Sequence, residues 1–255
     1  MIKKYIKFLL KATNQHGVHS PFIYSLVTQC IYKKSSFSIL NEFEYYKKVL
    51  ENNHTEITIT DFGAGSKVFK DNKRKVSDLV SKVSVSKKYA LLLNRLVHHL
   101  NINYALELGT SVGLGTASLC FNNINIKVDT IEGCDKILEI AQKQFKNYKL
   151  QDQITTYCGD FSDVLPLLSV KKYDLIYFDG NHQKEATLKY FEECLKTKHN
   201  DSVFIFDDIY WSDEMEEAWK EIKNHPEVKV TVDLFKWGLV FFRKEQEKEH
   251  FKIRF

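Results

Sequence analysis

The stretch Tyr104-Ala105-Leu106-Glu107-Leu108-Gly109-Thr110-Ser111-Val112-Gly113-Leu114-Gly115-Thr116 decides how the chain is read. A short apolar strand ends at Glu107, a glycine-rich turn follows, and Thr116 opens the apolar helix Ala117 to Phe121. Glycines let a backbone turn sharply and approach a ligand without a Cβ in the way. The N-terminus of the following helix offers N–H groups to an anion. Strand, glycine turn and helix in this order predict a small-molecule cradle at the mouth of a βα unit.

Downstream of the cradle, strands and helices alternate, the pattern of a parallel sheet with crossover helices. Strands are expected at 104–108, 126–131, 153–157, 173–178 and 202–206, with helices at 114–121, 135–148, 161–168 and 183–196 between them. A helix from Ser212 to Asn224 precedes two apolar runs, Val228 to Leu234 and Leu239 to Arg243. These predict an antiparallel pair at the sheet edge, turning around Lys236-Trp237-Gly238. The fold class is therefore α/β: a Rossmann-like parallel sheet with a C-terminal antiparallel strand pair and an N-terminal helical extension. Residues 1–85 form the extension and 86–255 the ligand-binding domain.

Upstream, Ser20-Pro21 marks a helix start, with serine as cap and proline at the first position. Ile23, Leu26, Val27, Cys30 and Ile31 then share one helical face. A second helix is expected from Leu40 to Leu50, and two more lead from Val76 to Val83 and from Tyr89 to Leu100. Ile57 to Thr60 reads as a strand, and Asp61-Phe62-Gly63-Ala64-Gly65-Ser66 as a second glycine-rich loop on the structural or substrate side.

Composition narrows the class. Apolar residues make up 44 % and charged residues 27 % of the 255, ordinary for a globular chain with a sizeable core. The five cysteines lack CxxC spacing, which argues against a disulfide framework or zinc site and for a reducing compartment. Lys7 and Lys11 interrupt the first apolar run too early for a signal peptide. No stretch approaches the roughly 18 apolar residues of a membrane span. A cytoplasmic location is expected. Residues 1–100 carry 17 Lys/Arg against 7 Asp/Glu, whereas the rest carry 20 against 26. That basic half could attract an anionic partner such as nucleic acid, but it lacks interleaved aromatics for base stacking.

Three ligands compete for the cradle. Gly109-Thr110-Ser111-Val112-Gly113 fits the G-x-S-x-G nucleophile elbow literally, yet that fold needs several sheet strands upstream. The dinucleotide fingerprint requires G-x-G-xx-G, whereas this spacing is G-xxx-G-x-G. The third is S-adenosylmethionine, which needs acids for its ammonium and ribose. Glu107, Glu132 and Asp160-Phe161 end three successive strands. Glu132 can accept two ribose hydroxyls; Asp160 can hold the adenine amino group while Phe161 packs on the ring.

On Leu106 to Gly113, Glu132, Gly159-Asp160, Asp174 to His182 and Phe206-Asp207-Asp208, the chain resembles the class I S-adenosylmethionine-dependent methyltransferases. Within them it is most similar to the catechol-type, metal-dependent O-methyltransferases and related sugar O-methyltransferases. The resemblance covers roughly residues 86–243. It implies cofactor contacts from Glu107, Gly109, Thr110, Ser111, Gly113, Glu132, Gly133, Asp160, Phe161 and Asp179.

Asp179 ends the fourth strand and Asp207-Asp208 the fifth. Carboxylates converging at neighbouring strand ends repel one another unless a cation or protons intervene. All-oxygen ligands suit a hard ion, so Mg²⁺ is expected on Asp179, Asp207 and Asp208. The resembling family places its metal on the acid matching Asp179 and on an acid–amide pair at the fifth strand, here Asp-Asp. His182 stands where catechol-type enzymes carry a lysine base, and histidine can do that work near neutral pH. Tyr210, Trp211 and the N-terminal helices could wall an acceptor pocket. The expected activity is metal-assisted methyl transfer to a hydroxyl of a small molecule, catechol-like or a vicinal diol, with room for a homodimer. An RNA-modifying methyltransferase of the same fold and a non-catalytic cofactor-binding protein remain the alternatives.

Overall fold

A computed structural model describes residues 1–59, 73–82 and 84–255. The Asp61–Ser66 loop lies outside the described residues. In chain order the elements are α1 (Ile2–Lys11), α2 (Pro21–Leu26), α3 (Phe37–Glu51), β1 (Glu56–Thr58), β2 (Lys73–Lys75), α4 (Val76–Lys82) and α5 (Lys87–His99). There follow β3 (Tyr104–Leu108), α6 (Leu114–Cys120), β4 (Lys127–Glu132), α7 (Asp135–Asn147), β5 (Ile154–Cys158) and α8 (Phe161–Leu168). Then come β6 (Leu175–Phe178), α9 (Lys184–Leu195), β7 (Val203–Phe206), α10 (Asp213–Asn224), β8 (Val230–Asp233), β9 (Gly238–Phe241) and β10 (Glu249–Lys252).

The helices begin where the sequence supplies caps. Ser20, Ser36 and Ser212 each accept a hydrogen bond from the backbone N–H three residues on, at Ile23, Ile39 and Met215. Asp213, Glu214 and Glu216 add negative charge to the first turn of α10, the favourable sign there. In α3 the buried residues are Ile39, Phe43, Tyr46 and Leu50, one face at helical spacing. The α2 face continues past Leu26 into a wider turn at Val27–Ile31, and Ile23, Leu26, Val27, Cys30 and Ile31 are all buried.

The main sheet has the order β10-β8-β9-β7-β6-β3-β4-β5 and is mostly parallel, a Rossmann-like arrangement. The chain divides into two compact units, Lys34–Val164 and Met1–Lys33 with Leu165–Phe255. This division differs from a boundary at residue 85.

In the unit Lys34–Val164, β3 pairs parallel with β4, and β4 with β5. Leu106 and Leu108 are buried, as are Val128 and Ile131 beside them. The N-terminal segment of this unit also holds the antiparallel hairpin β1–β2, which pairs Glu56 to Thr58 with Lys75 to Lys73. Its second strand reads Lys-Arg-Lys and carries no apolar signal, so the sequence suggests only the first.

In the unit Met1–Lys33 with Leu165–Phe255, β6 and β7 pair parallel, and β9 inserts antiparallel between β7 and β8. The β8–β9 pair expected at the sheet edge therefore has β9 inside, and β8 is covered by β10, which runs parallel to it. Glu249-His250-Phe251-Lys252 is too polar to announce a strand; only Phe251 turns into the core. Gly238 opens β9 because Trp219 of α10 fills its side-chain space: a Cβ there would lie 2.6 Å from the indole.

Candidate active site

The cradle is built from β3, β4 and the turn between β3 and α6. Gly109 and Gly113 have φ of 107° and 79°, and Ser111 has φ of 48°. The N–H groups of Gly109 and Thr110 both donate to the Ile131 carbonyl, tying the turn to β4. The space beside Gly113 is protein rather than an opening: a Cβ would lie 2.5 Å from the Phe145 ring and 2.9 Å from the Tyr46 hydroxyl. That hydroxyl is buried and has no hydrogen-bond partner. The glycine is thus required by packing as well as by its backbone angle.

Glu132, the last residue of β4, is held by the cradle itself. Its Oε2 accepts from the Ser111 N–H at 2.8 Å and its Oε1 from the Cys134 N–H at 3.0 Å. Both carboxylate oxygens are thus oriented by backbone N–H groups at the strand end. Gly133, between these contacts, is partly exposed. Ser111, read literally as a nucleophile in the elbow pattern, instead uses its backbone to orient an acid.

Glu107 is buried in β3 and accepts from the hydroxyls of Thr116 and Thr130, the latter at 2.7 Å. Thr110 and Thr130 share a further hydroxyl contact at 2.7 Å. Burial raises the Glu107 carboxyl to about 7, against the two threonine bonds, with a smaller push from Glu132. Asp160 follows β5 and caps α8, its Oδ1 accepting from the Ser162 N–H at 2.7 Å. Phe161 opens that helix and is half-buried. These side chains are acceptors suited to a nucleoside with a positively charged tail, so the residues present fit S-adenosylmethionine.

The second cluster lies at the ends of β6 and β7. Tyr177 donates to Asp179 Oδ2 at 2.9 Å and approaches Asp207 Oδ2 at 3.4 Å. Asp207 Oδ1 accepts from the backbone N–H of Asp208, whose φ is 52°. Burial, then the charge of Asp207, pushes the Asp179 carboxyl well up. Burial and Asp207 also raise Asp208, opposed by Lys236 and His182.

Lys236 changes the reading of this cluster. Its ammonium lies 3.3 Å from Asp207 Oδ2 and 3.9 Å from Asp208 Oδ1. Burial pulls its pKa down, but Asp207, Asp208 and Asp179 outweigh burial and raise it. Among the described residues no group of three or more His, Cys, Asp and Glu side chains is arranged to hold a metal ion. A divalent ion about 4 Å from an ammonium would meet roughly 8 kcal/mol of repulsion at an effective dielectric of about 20. The donor set, with a lysine among the carboxylates, does not fit Mg²⁺, contrary to the expectation from Asp179, Asp207 and Asp208 alone.

Strand order, the glycine turn after β3 and the acids closing β3, β4 and β5 match the fold of the class I S-adenosylmethionine-dependent methyltransferases. Residues 106–209 match the family model described as "Methyltransferase domain". O-methyltransferase hkm8 of Aspergillus hancockii is 28 % identical over 105 residues, 40 % of this chain and 41 % of that protein. The match spans less than half the length of the curated relatives, 41 % of hkm8 and 46 % of O-methyltransferase imqG of Aspergillus flavus. Among solved structures, the S-adenosylhomocysteine-bound methyltransferase PaMTH1 of Podospora anserina superposes with a TM-score of 0.61 at 12 % identity, covering 89 % of this chain and 98 % of that one. The O-methyltransferase of Bacillus cereus in complex with S-adenosylhomocysteine gives 0.57 at 19 % identity, with coverages of 86 % and 97 %. These two likenesses are of fold.

Sequence reasoning missed Lys236, Tyr177 and Asn181. Lys236 sat in a stretch read only as a turn, and Tyr177 in a strand read only as core. Asn181 has φ of 49°, donates to the Tyr190 hydroxyl at 3.2 Å, and leaves its buried Oδ1 without a partner. An unpaired acceptor two residues past Asp179 is a candidate contact for a bound hydroxyl.

Proposed function

We propose that this protein transfers the methyl group of S-adenosylmethionine to a hydroxyl oxygen of a small molecule, a catechol-like ring or a vicinal diol such as a sugar. The observation that carries the reading is Glu132, a carboxylate clamped by two backbone N–H groups at a strand end beside the glycine turn. When bound, the cofactor supplies an electrophilic methyl on a sulfonium sulfur. Glu132 and Gly133 receive the ribose, and Asp160 with Phe161 the adenine. Glu107, Gly109, Thr110, Ser111 and Gly113 form the methionine end of the cradle.

On the acceptor side, Asp179, Asp207 and Asp208 orient the hydroxyl; the family resemblance also assigns Asp179 a cofactor contact. His182 takes its proton as the oxygen attacks. Much of the acceleration comes from holding the two reactants in line. Residues 1–85 act as the acceptor-side extension and 86–255 as the methyltransferase domain. For the first helix this is supported by Tyr5 and Phe8, whose rings lie 4.8 and 5.5 Å from that of Phe235, next to Lys236. The divalent ion expected from the sequence is given no step, because of Lys236.

The test is incubation with methyl-labelled S-adenosylmethionine and panels of catechols, phenols and sugars. Label in one acceptor, with matching S-adenosylhomocysteine, is the expected outcome. Cofactor binding without transfer to any acceptor would make this a non-catalytic binding protein. Label in transfer RNA instead would favour the RNA-modifying alternative.

A further inference from the structure

Lys236 is held in place from several sides within its unit. Asp233 Oδ1 accepts from the Phe235 N–H at 2.9 Å, the Leu234 N–H donates to the Trp237 carbonyl, and the Lys236 N–H donates to the Leu234 carbonyl. These bonds close a tight turn between β8 and β9. Phe235 takes a left-handed φ of 71°, and its ring stacks on Tyr210 at 5.1 Å and meets Tyr5 and Phe8. The Ile209 N–H donates to the Lys236 carbonyl at 3.2 Å, fastening the turn to the residue after Asp208. A backbone fixed on both sides delivers the ammonium to one place. That place is beside Asp207, which is 3 % exposed and is also approached by the Tyr177 hydroxyl.

We propose that the Lys236 ammonium is the resident cation of this site, occupying the position among Asp179, Asp207 and Asp208 that a divalent ion would need, so that methyl transfer here proceeds without a metal. The proposal rests on reading this cluster as the acceptor end of the methyltransferase. A buried carboxylate group needs a counter-charge. A tethered ammonium supplies one and adds N–H donors aimed at the acids and at an oxygen bound beside them. Tyr177 supplies a further donor to Asp179. The arrangement retains the three acids of a metal centre but neutralises them with a group encoded in the chain.

The test uses Mn²⁺ as the probe and electron paramagnetic resonance as the readout, on the full chain without acceptor. The wild type should leave Mn²⁺ free at submillimolar concentrations. Lys236→Met should bind it at least tenfold more tightly, and adding Asp207→Asn should abolish that gain. Wild-type binding at submillimolar Mn²⁺ that Asp207→Asn removes would overturn the proposal, as would failure of a folded Lys236→Met to bind. If Lys236→Met does not fold, Lys236→Gln, one atom shorter and uncharged but still an N–H donor, takes its place under the same criteria. Binding is read independently of turnover, so a chain that transfers no methyl group would refute the functional reading and leave the cation result standing. Given transfer, activity should survive EDTA, and loss of activity restored by Mg²⁺ would count against a resident lysine.

Discussion

Replacing Glu107 by glutamine removes a carboxyl group that the fold holds near the middle of the physiological range. Burial lifts it to about 7, well above the ordinary range of a glutamate, even though Thr116 and Thr130 both donate to it. A carboxyl raised in the folded state binds more protons there than in the unfolded chain. Its burial therefore costs nothing below the unfolded pKa, and stability falls as pH rises between the two values. At about 1.4 kcal/mol per pKa unit, the whole loss is about 3 kcal/mol, most of it accumulated by pH 7 to 8. Glu107→Gln keeps the shape and a carbonyl acceptor for the threonines but cannot ionise. Urea unfolding followed by circular dichroism at half-unit steps from pH 5 to 8.5, without cofactor, should show the wild type losing roughly 2 to 3 kcal/mol more than the variant across this window. Parallel stability curves for the two proteins would refute the assignment of a buried, neutral-range carboxyl to this strand.

Glu132→Ala should weaken S-adenosylmethionine binding at least tenfold by calorimetry while leaving the thermal midpoint within a few degrees, since the side chain is only half-buried; unchanged affinity would remove its ribose role. Gly113→Ala forces a left-handed φ on a residue with a Cβ, a cost of roughly 1–2 kcal/mol, and drives that Cβ into Phe145. A drop in stability of at least that size is expected in denaturant unfolding, and a neutral result would contradict the packing described. His182→Ala should lower turnover mainly at neutral pH, where an unprotonated imidazole can accept the proton, and a profile of unchanged shape would rule histidine out as the base.

β6 and β7 were legible because Leu175–Phe178 and Val203–Phe206 are continuous apolar runs followed by acids, the mark of parallel strands buried on both faces, whereas β4 and the partly exposed β5 were read from their place between helices. Ile176 and Phe204 sit in such runs, and they are buried together with Leu106 and Val128. The acids at the strand ends were legible for the same reason, since an ionisable group directly after a buried strand must meet water, a ligand or another charge. What the sequence concealed depended on distance along the chain. Lys236 follows Asp207 by twenty-nine positions, and nothing in Phe235-Lys236-Trp237 says that its ammonium returns to β7. The metal expectation counted three aspartates and not the lysine beside them. β2 and β10 escaped notice because their pairing is carried by backbone hydrogen bonds under polar side chains.

The contact of α1 with the Phe235 turn makes the amino end of the chain a mechanical input to the site. Lys4 bonds Asp213 at 2.7 Å and Glu216 at 3.2 Å, clamping α1 to the start of α10, while Tyr5 and Phe8 grip the ring adjoining Lys236. Strain applied at Met1, by an affinity tag or by a tethered neighbour, has a short rigid route to the lysine's charge. Turnover measured with and without such an attachment should differ, and identical rates would show that the turn is insulated from the helix that grips it.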